Sequence, residues 1–180
     1  MEYHLRMKKT EWDDGFRQLW DRATGRYRTG RRTVDTVTNP PEQAFLAGIG
    51  CSAQEFFDFI EDHCRDGDPD LEAALAVQRI RHRYLIDVPA GAPGVPPIDA
   101  RLLPAKSAAV DGIAWLPRLI AKARMKLRGE LPAEFMYGCG GDRPFLRRAG
   151  MTLPGFLQLT WDSGENDRPI IDAVRRGLGR

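Results

Sequence analysis

Apolar residues recur along the chain at helical spacing, and they do so twice. Phe16, Leu19, Trp20, Ala23 and Tyr27 follow the i, i+3, i+4 rhythm that lines one stripe of an α-helix. One hundred residues later Leu116, Leu119, Ile120, Ala123 and Leu127 repeat it. A second echo stands at the same offset. In "FLAGIGCSAQEFF" and "FLRRAGMTLPGFL", Phe45, Leu46, Gly50 and Phe56 match Phe145, Leu146, Gly150 and Phe156. Two segments agreeing on one offset point to a duplicated unit.

Each copy then reads as an amphipathic helix, a loop, a short helix with the Phe-Leu pair, a glycine, a third helix and a fourth. Gly50 and Gly150 suit the left-handed residue that closes a helix, and Ser52 and Thr152 suit the cap of the next. Glu55, three residues after Ser52, predicts a capping box in the first copy. The third helix should stop near Gly67 and Gly164, with an aspartate cap and an early proline opening the fourth at Asp68-Pro69 and at Asp167-Arg168-Pro169. No stretch alternates as a strand would. The expected fold is all-α: two related modules of about four short helices, residues 1–86 and 107–180. A connector over 87–106, holding five prolines, joins them and is read as extended.

Composition adds little to this. The chain has 180 residues, 42% of them hydrophobic, and a formal net charge of +2, too mild to announce a nucleic-acid or membrane partner. No apolar run approaches the ~20 residues of a membrane span, and the N-terminal stretch lacks the apolar core of a signal peptide. Three widely spaced cysteines, Cys51, Cys64 and Cys139, suggest reduced thiols and a cytoplasmic setting.

Charge distribution changes the picture more. From Gly112 through Gly129 there is no acidic residue, while Arg118, Lys122, Arg124, Lys126 and Arg128 share one predicted helix. On a helical wheel Arg118, Lys122 and Lys126 form one row, and Arg124 and Arg128 a second beyond the apolar stripe. Two neutralisers compete. Inside the chain, the acidic segment from Glu55 to Glu72 could dock against the helix. Outside it, an anionic ligand or an acidic protein could do so, with nucleic acid held only loosely through its phosphates.

The stretch "DGIAWLPRLIAKARMKLRGELPAEFMYGCGGDRPFLRRAG", residues 111–150, resembles a bacterial family known as domain of unknown function 5069. The resemblance rests on Leu116, Pro117, Arg118, Lys122, Arg124, Gly129, Asp142, Phe145 and Leu146. In the first half Gln18, Thr24 and Asn39 stand where the second has Arg118, Arg124 and Cys139. It implies a small helical domain without an established activity, and it directs attention to the second copy.

The candidate ligand-binding residues are therefore Arg118, Lys122, Arg124, Tyr137, Cys139 and Asp142. "YGCGGDRP", residues 137–144, sets three glycines beside a thiol just before a helix, a backbone able to aim amides at an anion or simply to turn tightly. Cys139 has no histidine in its half to act as a base. A binding module is the leading expectation, and an enzyme acting on a phosphorylated or carboxylated small molecule at the Cys139–Asp142 loop is the alternative. No cofactor is expected. No metal site is expected either: His63 and Cys64 are neighbours whose side chains diverge, and "DGDPDLE" places Leu71 where a calcium loop needs glycine.

Overall fold

The computed structural model describes residues 12–88 and 99–179. The N-terminal stretch 1–11 and the centre of the connector, residues 89–98, lie outside the described residues, so the extended reading of the connector has no counterpart there. Among the described residues the protein is all-α. In chain order come α1 (Asp13–Arg28), α2 (Val34–Val37), α3 (Pro40–Gly48), α4 (Ala53–Asp66), α5 (Leu71–Asp87), α6 (Leu116–Arg128), α7 (Asp142–Arg148), α8 (Leu153–Ser163) and α9 (Arg168–Gly177). One antiparallel ribbon, β1 (Ala109–Val110) with β2 (Ile113–Ala114), precedes α6, with strands too short to show alternation.

The periodic stripes become the core. Phe16, Leu19, Trp20, Ala23 and Tyr27 of α1 are buried, as are Leu116, Leu119, Ile120, Ala123 and Leu127 of α6. α1 packs on α4 and α5, while α5, α6 and α8 pack on one another, so apolar side chains of both halves join one continuous cluster. Fully burying a side chain such as Leu or Phe stabilises by about 1.5–3 kcal/mol, so this shared cluster holds the halves together.

The punctuation at the repeated positions is the same. Gly50 and Gly150 have φ +78° and +63°. The following amides fold back alike, Cys51 N donating to Leu46 O and Met151 N to Leu146 O, each at 2.9 Å. Ser52 caps α4 by accepting from Glu55 N, and Thr152 caps α8 by accepting from Gly155 N. α4 ends at Gly67 and α8 at Gly164.

Two capping expectations are corrected. Glu55 does not complete a capping box, because its carboxylate turns to Lys126 of the other half. The cap of α5 is Asp70, after Pro69, and not Asp68, whose carboxylate takes Arg143 and Arg147. Asp167 does precede α9, but its side chain pairs with Arg124.

Candidate functional site

α6 opens at Trp115, a bulky residue held at φ +74°, and closes at Gly129, also left-handed at φ +75°. Along it the five cations do not share a surface. Leu119, Lys122, Ala123 and Lys126 are themselves an i, i+3, i+4, i+7 set, so Lys122 and Lys126 point with the core and are each only 2% exposed. Arg118 and Arg124 flank them. Arg118 donates to Pro104 O at 2.6 Å and lies 5.1 Å from the Phe135 ring. Arg124 donates to Gly164 O at 3.0 and 2.8 Å and pairs with Asp167 at 2.6 Å, bracing the junction of α8 and α9. Arg128 pairs with Glu165 nearby.

Of the expected site residues, Lys122, Cys139 and Asp142 meet in one knot. The Lys122 ammonium has three protons, and it donates to Met136 O at 3.0 Å, Cys139 Sγ at 3.3 Å and Asp142 Oδ2. Asp142, fully buried, also accepts from Gly138 N at 2.9 Å, Cys139 N at 3.3 Å and the Trp115 indole at 3.0 Å. The glycine-rich loop thus aims its amides at an anion, and that anion is the chain's own Asp142. Tyr137 belongs to the same loop, but its hydroxyl donates to Leu153 O at 2.7 Å, and burial, reinforced by the Asp142 charge, pushes its pKa well above the ordinary range. This knot is electrically neutral and its lysine protons are all committed. Arg118 and Arg124 lie outside it.

Among the described residues the acidic segment neutralises α6 at one point, Glu55 on Lys126. Two of its other acids serve α7, Asp62 and Asp68 holding Arg143 and Asp68 also Arg147, while Glu72 pairs with Arg17 of α1 and Glu61 accepts from Tyr27.

A second group, absent from the sequence expectations, forms where the halves meet. A cavity of about 200 Å³ is lined from the N-terminal half by Gly50, Cys51, Glu55 and Arg81, and from the C-terminal half by Lys126 and Gly129. Lys126 donates to Gln78 at 3.1 Å and pairs with Glu55. Arg81, 3% exposed, runs between the two left-handed glycines. A Cβ on Gly129 would sit 2.6 Å from its Nη2, and one on Gly50 would sit 3.4 Å from its Cζ. Only glycine permits both the torsion and this approach. Burial lowers the Arg81 pKa and pushes the Cys51 thiol well up, so Cys51 stands as a neutral thiol.

Arg81 and Lys126, both buried, line the cavity beside the half-buried carboxylate of Glu55. The ends of α3 and α6 contribute roughly half a negative charge each, and the start of α4 returns about half a positive charge. Charged groups and helix ends of both halves thus converge on the cavity. A signal for it existed in the sequence: Gln78 and Arg81 fall on the buried stripe of α5 with Ala74 and Val77, as Lys122 and Lys126 do on α6. Charged residues at core-facing positions were the clue, rather than charge density along the helix.

Among the described residues no three His, Cys, Asp or Glu side chains are grouped to hold a metal ion. His63 instead meets the Trp20 ring edge-on and approaches Pro69 O through Nδ1 at 3.0 Å. No helix among them is long and apolar enough to cross a membrane.

Residues 102–178 match the family model described as a domain of unknown function, DUF5069. The matched segment contains α6 to α9 and extends on both sides of the stretch from Asp111 to Gly150 that carries the resemblance. No curated protein and no solved structure matches the chain.

Proposed function

We propose that the protein is a non-enzymatic binding module whose ligand is a small anion, taken up at the cavity between Arg81 and Lys126. The observation that carries this reading is the convergence of two buried cations, Arg81 and Lys126, on one open cavity between the halves, beside the carboxylate of Glu55. Charged donors held at a cavity open to solvent form strong, short hydrogen bonds to a small anion and need little reorganisation to receive one. Because both halves line the cavity, such a ligand would also hold them together. The α6 helix remains the source of the charge, through its inward Lys126 rather than through Arg118 and Arg124. A cytoplasmic setting accords with the scattered cysteines.

The alternative, catalysis at the Cys139–Asp142 loop, has less support, since the lysine beside the thiol has no proton left to offer a substrate. An acidic protein partner would need an exposed row of cations, and Lys122 and Lys126 are buried.

Inorganic phosphate, titrated at constant ionic strength, tests the reading by calorimetry and thermal unfolding. At ten times Kd a native-state ligand adds about 1.4 kcal/mol. Lys126→Met should abolish binding, while Arg118→Ala should leave it intact. Equal phosphate responses in wild type and Lys126→Met, or loss of the response in Arg118→Ala, would overturn it.

A further inference from the structure

The mild net charge of the chain hides one uneven corner. Along α1, Arg17, Arg22 and Arg26 each meet a carboxylate, that of Glu72 or Glu42. Beyond them "YRTGRR", residues 27–32, adds Arg28, Arg31 and Arg32 with no acid, and Arg65 stands in the last turn of α4. All four are exposed, and among the described residues none forms an ion pair. The local fold gathers them. Gly30, at φ +100°, turns the segment back over the end of α1, so that Arg32 donates to Tyr27 O and lies over the Tyr27 ring at 3.9 Å. Burial raises the pKa of the Cys64 thiol against the nearby charges of Arg28 and Arg32, and burial raises that of the Tyr27 hydroxyl against Arg32 and Arg65. Three guanidinium groups thus act on two neighbouring side chains. Glu61 stays in this corner, accepting from the Tyr27 hydroxyl at 3.0 Å, whereas Asp62 pairs with Arg143 and Asp66 lines the groove of Arg143 and Arg147. The carbonyl end of α1 adds about half a negative charge. Four cations therefore face one carboxylate and a helix end. At the end of α6, by contrast, Arg128 is met by Glu165 and Arg124 by Asp167.

We propose that Arg28, Arg31, Arg32 and Arg65 form a surface that binds the phosphate backbone of a single-stranded nucleic acid. Separate exposed cations match a polyanion whose charges repeat along a chain, whereas a single small anion would engage only part of the set. Guanidinium is the group for such contacts, because its planar fork of donors matches phosphate oxygens and it gives up hydration more readily than an ammonium. Arg32 adds a stacking surface. One side of its exposed guanidinium is against the Tyr27 ring, and the other is left for an unpaired base to stack on. Acidic side chains of a protein partner make no use of that face.

The probe is a fluorescently labelled thymidine strand of about twelve nucleotides, within the span that one binding module covers, titrated with the full chain and read by anisotropy. Wild type should bind with a Kd on the order of 10⁻⁴–10⁻⁶ M near physiological salt, and the affinity should fall with a log–log salt slope of about −0.7 for each phosphate contacted, roughly −2 to −3 in all. Arg31→Ala combined with Arg65→Ala removes two exposed cations that form no ion pair among the described residues, so far-UV circular dichroism should not change. Binding should weaken about tenfold near physiological salt and the slope should shrink by about 1.4, the loss of two phosphate contacts. Arg118→Ala, which deletes a cation of the other half, should bind as wild type does. Undiminished binding in the double variant, an equal loss in Arg118→Ala, or displacement of the strand by polyglutamate as effective as by unlabelled strand would each overturn the proposal.

Discussion

The N-terminal and C-terminal halves place a cation and a carboxylate at the same offset, Arg22 with Glu42 and Lys122 with Asp142, yet the two pairs have different physical standing. The Arg22 side chain is 49% exposed, and Glu42 has Arg26 as a second partner. The Lys122 side chain is 3% exposed, and Asp142 is sealed beneath Trp115. One pattern of residues thus yields a half-exposed cation on a buried carboxylate in one half and a fully buried knot in the other. What separates them is the aromatic side chain at 115 against the glycine at 15.

The strongest way to break this comparison is to remove the cation from each half. Lys122→Ala leaves Asp142 buried with amide and indole donors but no counter-charge, and should destabilise by about 3–5 kcal/mol. Arg22→Ala leaves Glu42 with Arg26 and should cost no more than about 1 kcal/mol. Urea unfolding of the two variants decides it. Equal costs would mean that burial does not distinguish the pairs.

That contrast also marks how far the sequence could be read. The apolar stripes, the glycines at 50, 67, 150 and 164, and the caps at Ser52 and Thr152 were legible because each depends on spacing within a few residues. Lys122 and Lys126 read as members of a charged row because cations usually face solvent, although both also complete the apolar set begun by Leu119 and Ala123. Their partners, Asp142 and Glu55, are 20 and 71 residues away in the chain, and no local pattern names them. The Gly129 and Arg81 approach is likewise tertiary, and Gly129 alone predicts only a helix end.

Glycine substitutions sharpen the comparison at the next level of effect. Gly129→Ala must adopt a left-handed torsion, worth about 1–2 kcal/mol, and must also displace the buried guanidinium of Arg81. Gly150→Ala carries the same torsional cost with nothing within 4 Å of the new Cβ. Gly50→Ala, facing Leu85 at 3.3 Å, should fall between them. Thermal unfolding should rank the three in that order. If Gly129→Ala is no worse than Gly150→Ala, Arg81 is not wedged between the helix ends as the geometry requires.

The smallest effect is a pH dependence that belongs to the N-terminal half alone. Asp58 of α4 has its pKa raised to about 6, chiefly because burial disfavours the charged carboxylate, with Glu55, Glu61 and Asp62 adding repulsion against a hydrogen bond from Gln54. At the same offset the other half has Gln158, which does not titrate. Between the ordinary aspartate range and pH 6 the native state holds the Asp58 proton more tightly than the unfolded chain does. Stability from this group is therefore full below pH ~4 and is lost as pH rises through about 6, the reverse of a salt-bridged carboxylate. Asp58→Asn, which keeps a neutral side chain of the same shape, should flatten that decline, whereas Gln158→Glu should introduce a titration where none exists. Unfolding free energies at pH 4.5 and pH 7 for the wild type and Asp58→Asn measure the difference. A decline of the same size in both would assign it to other carboxylates, and Asp58 would then be no more than a solvated member of the acidic segment.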